Sequence, residues 1–246
     1  MRKILVLFSF LFVSIFGLQA QSLEQNQNVW FSYIGQFKVS QKWGFQLETQ
    51  FRFDNQLDQN LQNVYRIGGI YFLSPTQNLI LGYSLVSTFN AGLDDFYKEN
   101  RLWEQYQCNK KWHENKHSIS HRIRLEQRWV EKIGSIDGNV VSLGNTYQNR
   151  LRYLNRNLFH LTNLNTEQSE LYAILQNEIF ITLGNNKINS NVFDQNRFLV
   201  GLGLNLNQTR FEVGYMNQFV NSNVKNDVMN HTVSFSIIQN LDLLKQ

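Results

Sequence analysis

The side chains best placed to do chemistry in this 246-residue chain are charged and spaced two apart. Between residues 117 and 130, Arg122, Arg124, Glu126 and Arg128 share one parity, and Ile119, Ile123, Leu125 and Trp129 share the other. Successive side chains of an extended chain point to opposite faces, so these charges line one face of a strand. Earlier segments add Arg52, Arg66 and Arg101, with Glu48 close to the first of them. Later segments add Arg150, Arg152, Glu178, Arg197, Arg210 and Glu212. Arginine forks hold carboxylates through paired hydrogen bonds. Two roles fit such a set. One is a satisfied ionic network that fills and stiffens a narrow interior; the other is an Arg-rich path that attracts anions. The filled interior is the expectation.

Other chemistry finds less support. A membrane-embedded lipid hydrolase needs a nucleophile within reach of a histidine base. The same-face neighbours of His121 are Ile119 and Ile123, and those of His231 are Met229 and Val233. Ser118 and Ser120 fall on the opposite face from His121, so no local nucleophile–base pair forms. His113 and His160 are lone residues in or near connections. Neither His-x-His nor His-Glu-x-x-His occurs, and Asp94-Asp95 lacks the further ligands a calcium loop needs. Gly201-Leu202-Gly203 lies in a strand pattern, where glycine relieves packing, and is no phosphate loop. Cys108 is the single cysteine, so no internal disulfide forms, and it reads as an ordinary strand residue. No enzyme activity and no cofactor are expected.

The elements that must position these charges are strands. From Trp43 to Phe53 every odd position except Thr49 is a large apolar residue, and every even position is Gly, polar or charged. About ten residues of such alternation cross a bilayer as a tilted strand. Similar segments cover residues 28–39, 43–53, 61–72, 79–86, 101–109 and 117–130, then 147–158, 171–183, 193–205, 210–219 and 231–238. The connections alternate in length. Those at 40–42, 74–78, 110–116 and 206–209 are short, and those at 87–100, 131–146, 184–192 and 220–230 are longer and polar. Outer-membrane barrels have short turns on one side and long loops on the other. Pro75, the single proline, falls in a short turn, which leaves every strand free to donate its ladder hydrogen bonds. Trp43, Phe53, Tyr71, Trp129, Tyr147 and Phe193 lie near strand ends, where aromatic girdles form.

The fold expected is therefore all-β: a transmembrane, antiparallel, up-and-down β-barrel. Bacterial single-chain barrels use even strand numbers, which sets the expected total at about twelve, with about ten as the alternative. An extra strand would be sought between 147 and 183, because residues 159–164 keep some alternation. A two-sheet sandwich would show similar alternation along each strand.

Residues 1–20 read as a secretory signal peptide, with Arg2 and Lys3 ahead of an apolar run from 4 to 16 and a small residue, Ala20, at its end. Residues 21–246 then form one barrel domain. Losing Arg2 and Lys3 leaves acid and base nearly balanced in a chain whose formal charge is +4. No Lys/Arg run marks a nucleic-acid surface, and no nucleic-acid partner is expected. The mean hydropathy of −0.36 excludes a helical membrane protein but not a barrel with a polar interior. The expected location is the outer membrane, with its lipids and the barrel-insertion machinery as partners.

A set of short motifs runs through the chain in order: Arg101-Leu102-Trp103-Glu104-Gln105, His121-Arg122-Ile123-Arg124-Leu125-Glu126-Gln127-Arg128, Arg150-Leu151-Arg152-Tyr153, Asn177-Glu178, Asp194-Gln195-Asn196-Arg197 and Gly214-Tyr215-Met216-Asn217-Gln218. In order and spacing they resemble the family known as domain of unknown function 2490, over residues 30–231. The resemblance implies a secreted, β-rich protein of a Gram-negative bacterium with an outer-membrane-type barrel. It implies no catalytic residue. Many such barrels end in an aromatic residue that the insertion machinery reads, whereas this chain ends Leu243-Leu244-Lys245-Gln246. A structural wall or narrow conduit is the function expected. The alternatives are a membrane-embedded lipid-modifying enzyme and a soluble periplasmic barrel that binds an apolar ligand.

Overall fold

A computed structural model describes residues 23–112, 116–164, 169–184, 191–222 and 226–245. The putting together of the alternating segments yields eleven strands. They are β1 (Glu24–Lys38), β2 (Trp43–Asp54), β3 (Asn60–Ser74), β4 (Gln77–Asn90), β5 (Asp95–Trp112) and β6 (His117–Ile136), followed by β7 (Asn139–Asn163), β8 (Ser169–Leu183), β9 (Phe193–Leu206), β10 (Thr209–Val220) and β11 (Val228–Asp242). A 3₁₀ turn, Leu243–Lys245, follows. The signal-like residues 1–20 lie outside the described residues.

Each strand pairs antiparallel with the next, and the sheet closes on itself. This closure replaces the two-sheet sandwich. The closing pair, β1 with β11, is parallel and runs in register from Glu24↔Val228 to Lys38↔Asp242. An odd total goes with that seam, because the ten reversals between β1 and β11, an even number, leave the two strands pointing the same way. The structure thus has eleven strands in place of the twelve preferred from the even-number habit. Among the described residues of 147–183 there is no further strand: β7 runs through Asn163 and β8 starts at Ser169. Side chains lock the seam. Phe31 stacks on Phe235 at 5.5 Å, the Tyr33 hydroxyl donates to Gln239 Oε1 at 2.7 Å, and Lys38 meets Asp242 at 3.6 Å.

The short turns at 39–42, 75–76 and 207–208 share one rim with the chain's C-terminal end, and Glu24 starts from the other rim. Two connections expected as long loops are strand instead. β4 and β5 extend to Asn90 and Asp95, so only residues 91–94 turn. β6 and β7 continue past the barrel wall to a two-residue turn at Asp137-Gly138, whose φ angles of 50° and 79° suit a type I′ hairpin. That hairpin is wet on both faces, which is why its sequence lacks the alternation of the wall.

The two faces of the wall are opposite in character. Outward positions carry Leu47, Ile67, Leu81, Ile123, Val213 and Phe235, with Leu81 63 % exposed and Ile123 48 %. Inward positions carry Gln46, Glu48, Arg66, Arg101, Arg124, Glu126 and Glu178, all buried. Inside, apolar residues form a small cluster of Ile70, Ile80 and Trp103 against Phe72. Glu104 interrupts the outer belt, where it accepts a hydrogen bond from Gln127 Nε2 at 3.1 Å. Aromatic pairs sit toward both rims, Trp43–Tyr71 at one and Trp129–Tyr147 at the other.

Candidate functional site

Alternation aims the charges inward, and strand register stacks them beside one another. Glu126 on β6 is in register with Arg150 on β7, and Arg124 with Arg152. Glu126 Oε2 accepts from Arg150 Nε at 3.0 Å and Nη2 at 2.7 Å, while its Oε1 accepts from Arg152 Nη1 at 2.7 Å. Arg152 also donates to Glu178 Oε1, at 3.0 and 2.7 Å, and Arg122 reaches the same oxygen at 2.6 Å. Arg150 Nη1 adds Asp194 at 3.2 Å. The result is a continuous chain across four strands: Asp194, Arg150, Glu126, Arg152, Glu178, Arg122. Smaller clusters flank it. Glu99 holds both Arg101 and Arg128, Glu48 holds Arg66, and Glu212 accepts from Arg156 and from the Tyr172 hydroxyl. Buried charge is costly unless paired and hydrogen-bonded, and these carboxylates meet that condition by serving two donors at once.

Aromatic rings fill the gaps between the ion pairs. Arg124 lies over Trp103 at 4.4 Å, and Arg152 and Arg197 lie over Phe180 at 4.5 and 4.6 Å. Arg52 and Arg197 lie over Trp30, at 3.9 and 5.1 Å. A guanidinium stacks well on an aromatic face because it is planar and weakly hydrated. Glycine makes room for the largest ring: a Cβ at Gly82 would stand 2.4 Å from the Trp103 indole and 2.5 Å from the Ile67 carbonyl. Trp103 and Phe180 are fully buried, and Arg124, Glu126 and Gln148 are each 1 % exposed. This layer packs the interior around Glu126 and Trp103.

All thirteen charged residues expected in the interior project inward or line the interior space. Arg66, Arg101, Arg122, Arg124, Glu126, Arg128, Arg150, Arg152, Glu178 and Glu212 join ion pairs. Arg52, Arg197 and Arg210 do not, among the described residues. Arg52 bonds Gln62 and Gln50, and Arg197 bonds only Gln195, at 3.3 Å. Arg210 makes no hydrogen bond to another described side chain, and its Nε is buried without a partner. Sequence reading missed Glu99, Asp194, Arg156 and the inward rings Trp30, Trp103 and Phe180. Glu99 shares parity with Arg101, a signal hidden when residues 87–100 are taken as loop.

Beside the packed layer a cavity of about 550 Å³ remains. Arg122, Arg124, Arg152, Glu178 and Arg197 form its floor, and Pro75, Thr76, Lys111 and Asn240 ring its mouth at the short-turn rim. Neither Glu126, Trp103 nor Phe180 lines it. It is a vestibule that opens at the short-turn rim.

On the outer face, His121 shares a hydrogen bond with the Tyr153 hydroxyl at 2.9 Å, and His231 with Tyr215 at 2.5 Å. Cys108 stands opposite His121 across β5 and β6, but no hydrogen bond joins them among the described residues. No cluster of three metal-ligating side chains occurs among the described residues. Residues 27–229 match the family described as protein of unknown function (DUF2490). The chain belongs to that family. The match runs from Gln27 in β1 to Met229 at the start of β11 and includes the charged interior residues named above. No curated protein matches the chain.

Proposed function

We propose that this DUF2490 protein is exported and inserted as an outer-membrane β-barrel, where it serves as a structural wall or narrow conduit whose lumen is sealed at mid-height. The observation that carries this reading is the inverted distribution of polarity. A barrel in water hides its apolar face inside; this one turns Leu81, Ile67 and Ile123 outward and buries Glu126 and Arg124. Such a surface suits hydrocarbon, and a closed sheet leaves no unpaired edge there. The signal-like residues 1–20 and the aromatic pairs near both rims support the same placement. Its partners are then the outer-membrane lipids and, during assembly, the barrel-insertion machinery. Cell fractionation with a detergent gel tests this. The protein should appear in the outer-membrane fraction and migrate differently before and after boiling, because closed barrels resist detergent unfolding. Recovery in the soluble periplasmic fraction with no heat-dependent shift overturns it.

A further inference from the structure

The vestibule has two unlike walls. Its apolar lining, Ile34, Leu154, Ile174, Leu199, Met216 and Ile238, lies along β7 to β11 and β1, interspersed with Gln36, Arg156, Gln176, Arg210, Glu212 and Ser236. Gln46, Gln105, Gln107, Asn109 and Ser120 form a polar side along β2, β5 and β6. On the floor, Arg122 and Arg152 are taken up by Glu178 and Arg124 by Gln105. Arg197 joins no ion pair among the described residues: Glu178, opposite it in register, is engaged by Arg122 and Arg152. The one acceptor of Arg197 is Gln195 at 3.3 Å, and its Nε is buried without a partner, as is that of Arg122.

We propose that the vestibule binds a single-chain anionic amphiphile, with a carboxylate or phosphate head against Arg197 and its alkyl chain along the apolar wall. Three guanidiniums, Arg122, Arg152 and Arg197, share the one carboxylate of Glu178 and leave the floor short of negative charge, and an incoming anion relieves that through charge-assisted hydrogen bonds. An inorganic anion would satisfy Arg197 and leave the apolar wall wet. A neutral alkyl compound would cover the wall and leave Arg197 unpaired. Only a molecule with both parts answers both features. Fatty acids and alkyl phosphates share this chemistry. The inference rests on the fold and the cavity and not on membrane placement, so the two fail separately.

Native mass spectrometry tests it, on the full chain released from dodecyl maltoside or, if the protein proves soluble, from buffer. The probes are dodecanoate, dodecyl phosphate, dodecanol and inorganic phosphate. One equivalent of dodecanoate or dodecyl phosphate should be retained, with dodecanol and inorganic phosphate bound about tenfold more weakly or worse. Stronger retention of one of the two anionic probes identifies the head group. Arg197→Gln should erase the preference for dodecanoate over dodecanol while leaving gel mobility unchanged, since Arg197 makes no ion pair to lose. Equal retention of acid and alcohol overturns the proposal, as does inorganic phosphate binding as well as dodecyl phosphate. An unaltered preference in Arg197→Gln overturns it too. Should that variant not fold, the head-group comparison on the unaltered protein decides alone.

Discussion

Glu126 is the keystone of the interior because it takes hydrogen bonds from both Arg150 and Arg152 and is almost fully buried. Removing one partner from a buried ionic cluster leaves uncompensated charge, which costs roughly 3–5 kcal/mol. Glu126→Ala should therefore lower the urea midpoint markedly. Arg52→Gln, which breaks no ion pair, should change it little. Comparable losses in the two would mean that the network does not hold the interior together. Much of this set was legible from parity alone, since charges two apart on a strand must share a face. The rings were not. Trp103 and Phe180 sit among inward charges, and a large aromatic in a membrane strand reads first as lipid-facing. The inward place of Trp103 depends on Gly82 beside it on β4 and Gly68 on β3, a relation between strands that no single segment displays.

At the scale of the strand, the two-residue period assigns every side chain to a face, and a slip of one residue would exchange the faces. Phe51 and Ile123 point outward, while Gln46 points inward. An arginine on the lipid face near the midplane costs roughly 2–4 kcal/mol. Phe51→Arg and Ile123→Arg should accordingly reduce the yield of heat-modifiable protein far more than Gln46→Arg. Equal tolerance on both faces would contradict the register. The strand cores were readable because one face must be apolar there. The hairpin formed by β6 and β7 was not, because both its faces meet water and alternation is no longer required. Its available signal was Asp137-Gly138, a dipeptide suited to the positive φ angles of a tight turn.

For the whole molecule, closure was legible in the number and uniformity of the strands, and the manner of closure was not. The parallel seam between β1 and β11 joins the two ends of the chain, so no local pattern announces it. It sets the two ends of the wall on opposite rims and allows an odd number of strands. The packed layer is likewise a property of the assembled barrel. Glu126, Arg150, Arg152, Glu178, Trp103 and Phe180 come from four strands and meet only once the wall is closed. That layer makes the difference between a filled barrel and an anion-attracting pore. The most direct test is single-channel recording in planar bilayers, with purified heat-modifiable protein and a Trp103→Ala variant that removes the largest buried side chain. The unaltered protein should pass no large, steady current, and the variant should pass measurable current through the space vacated. Large, steady, anion-biased currents from the unaltered protein would contradict the account.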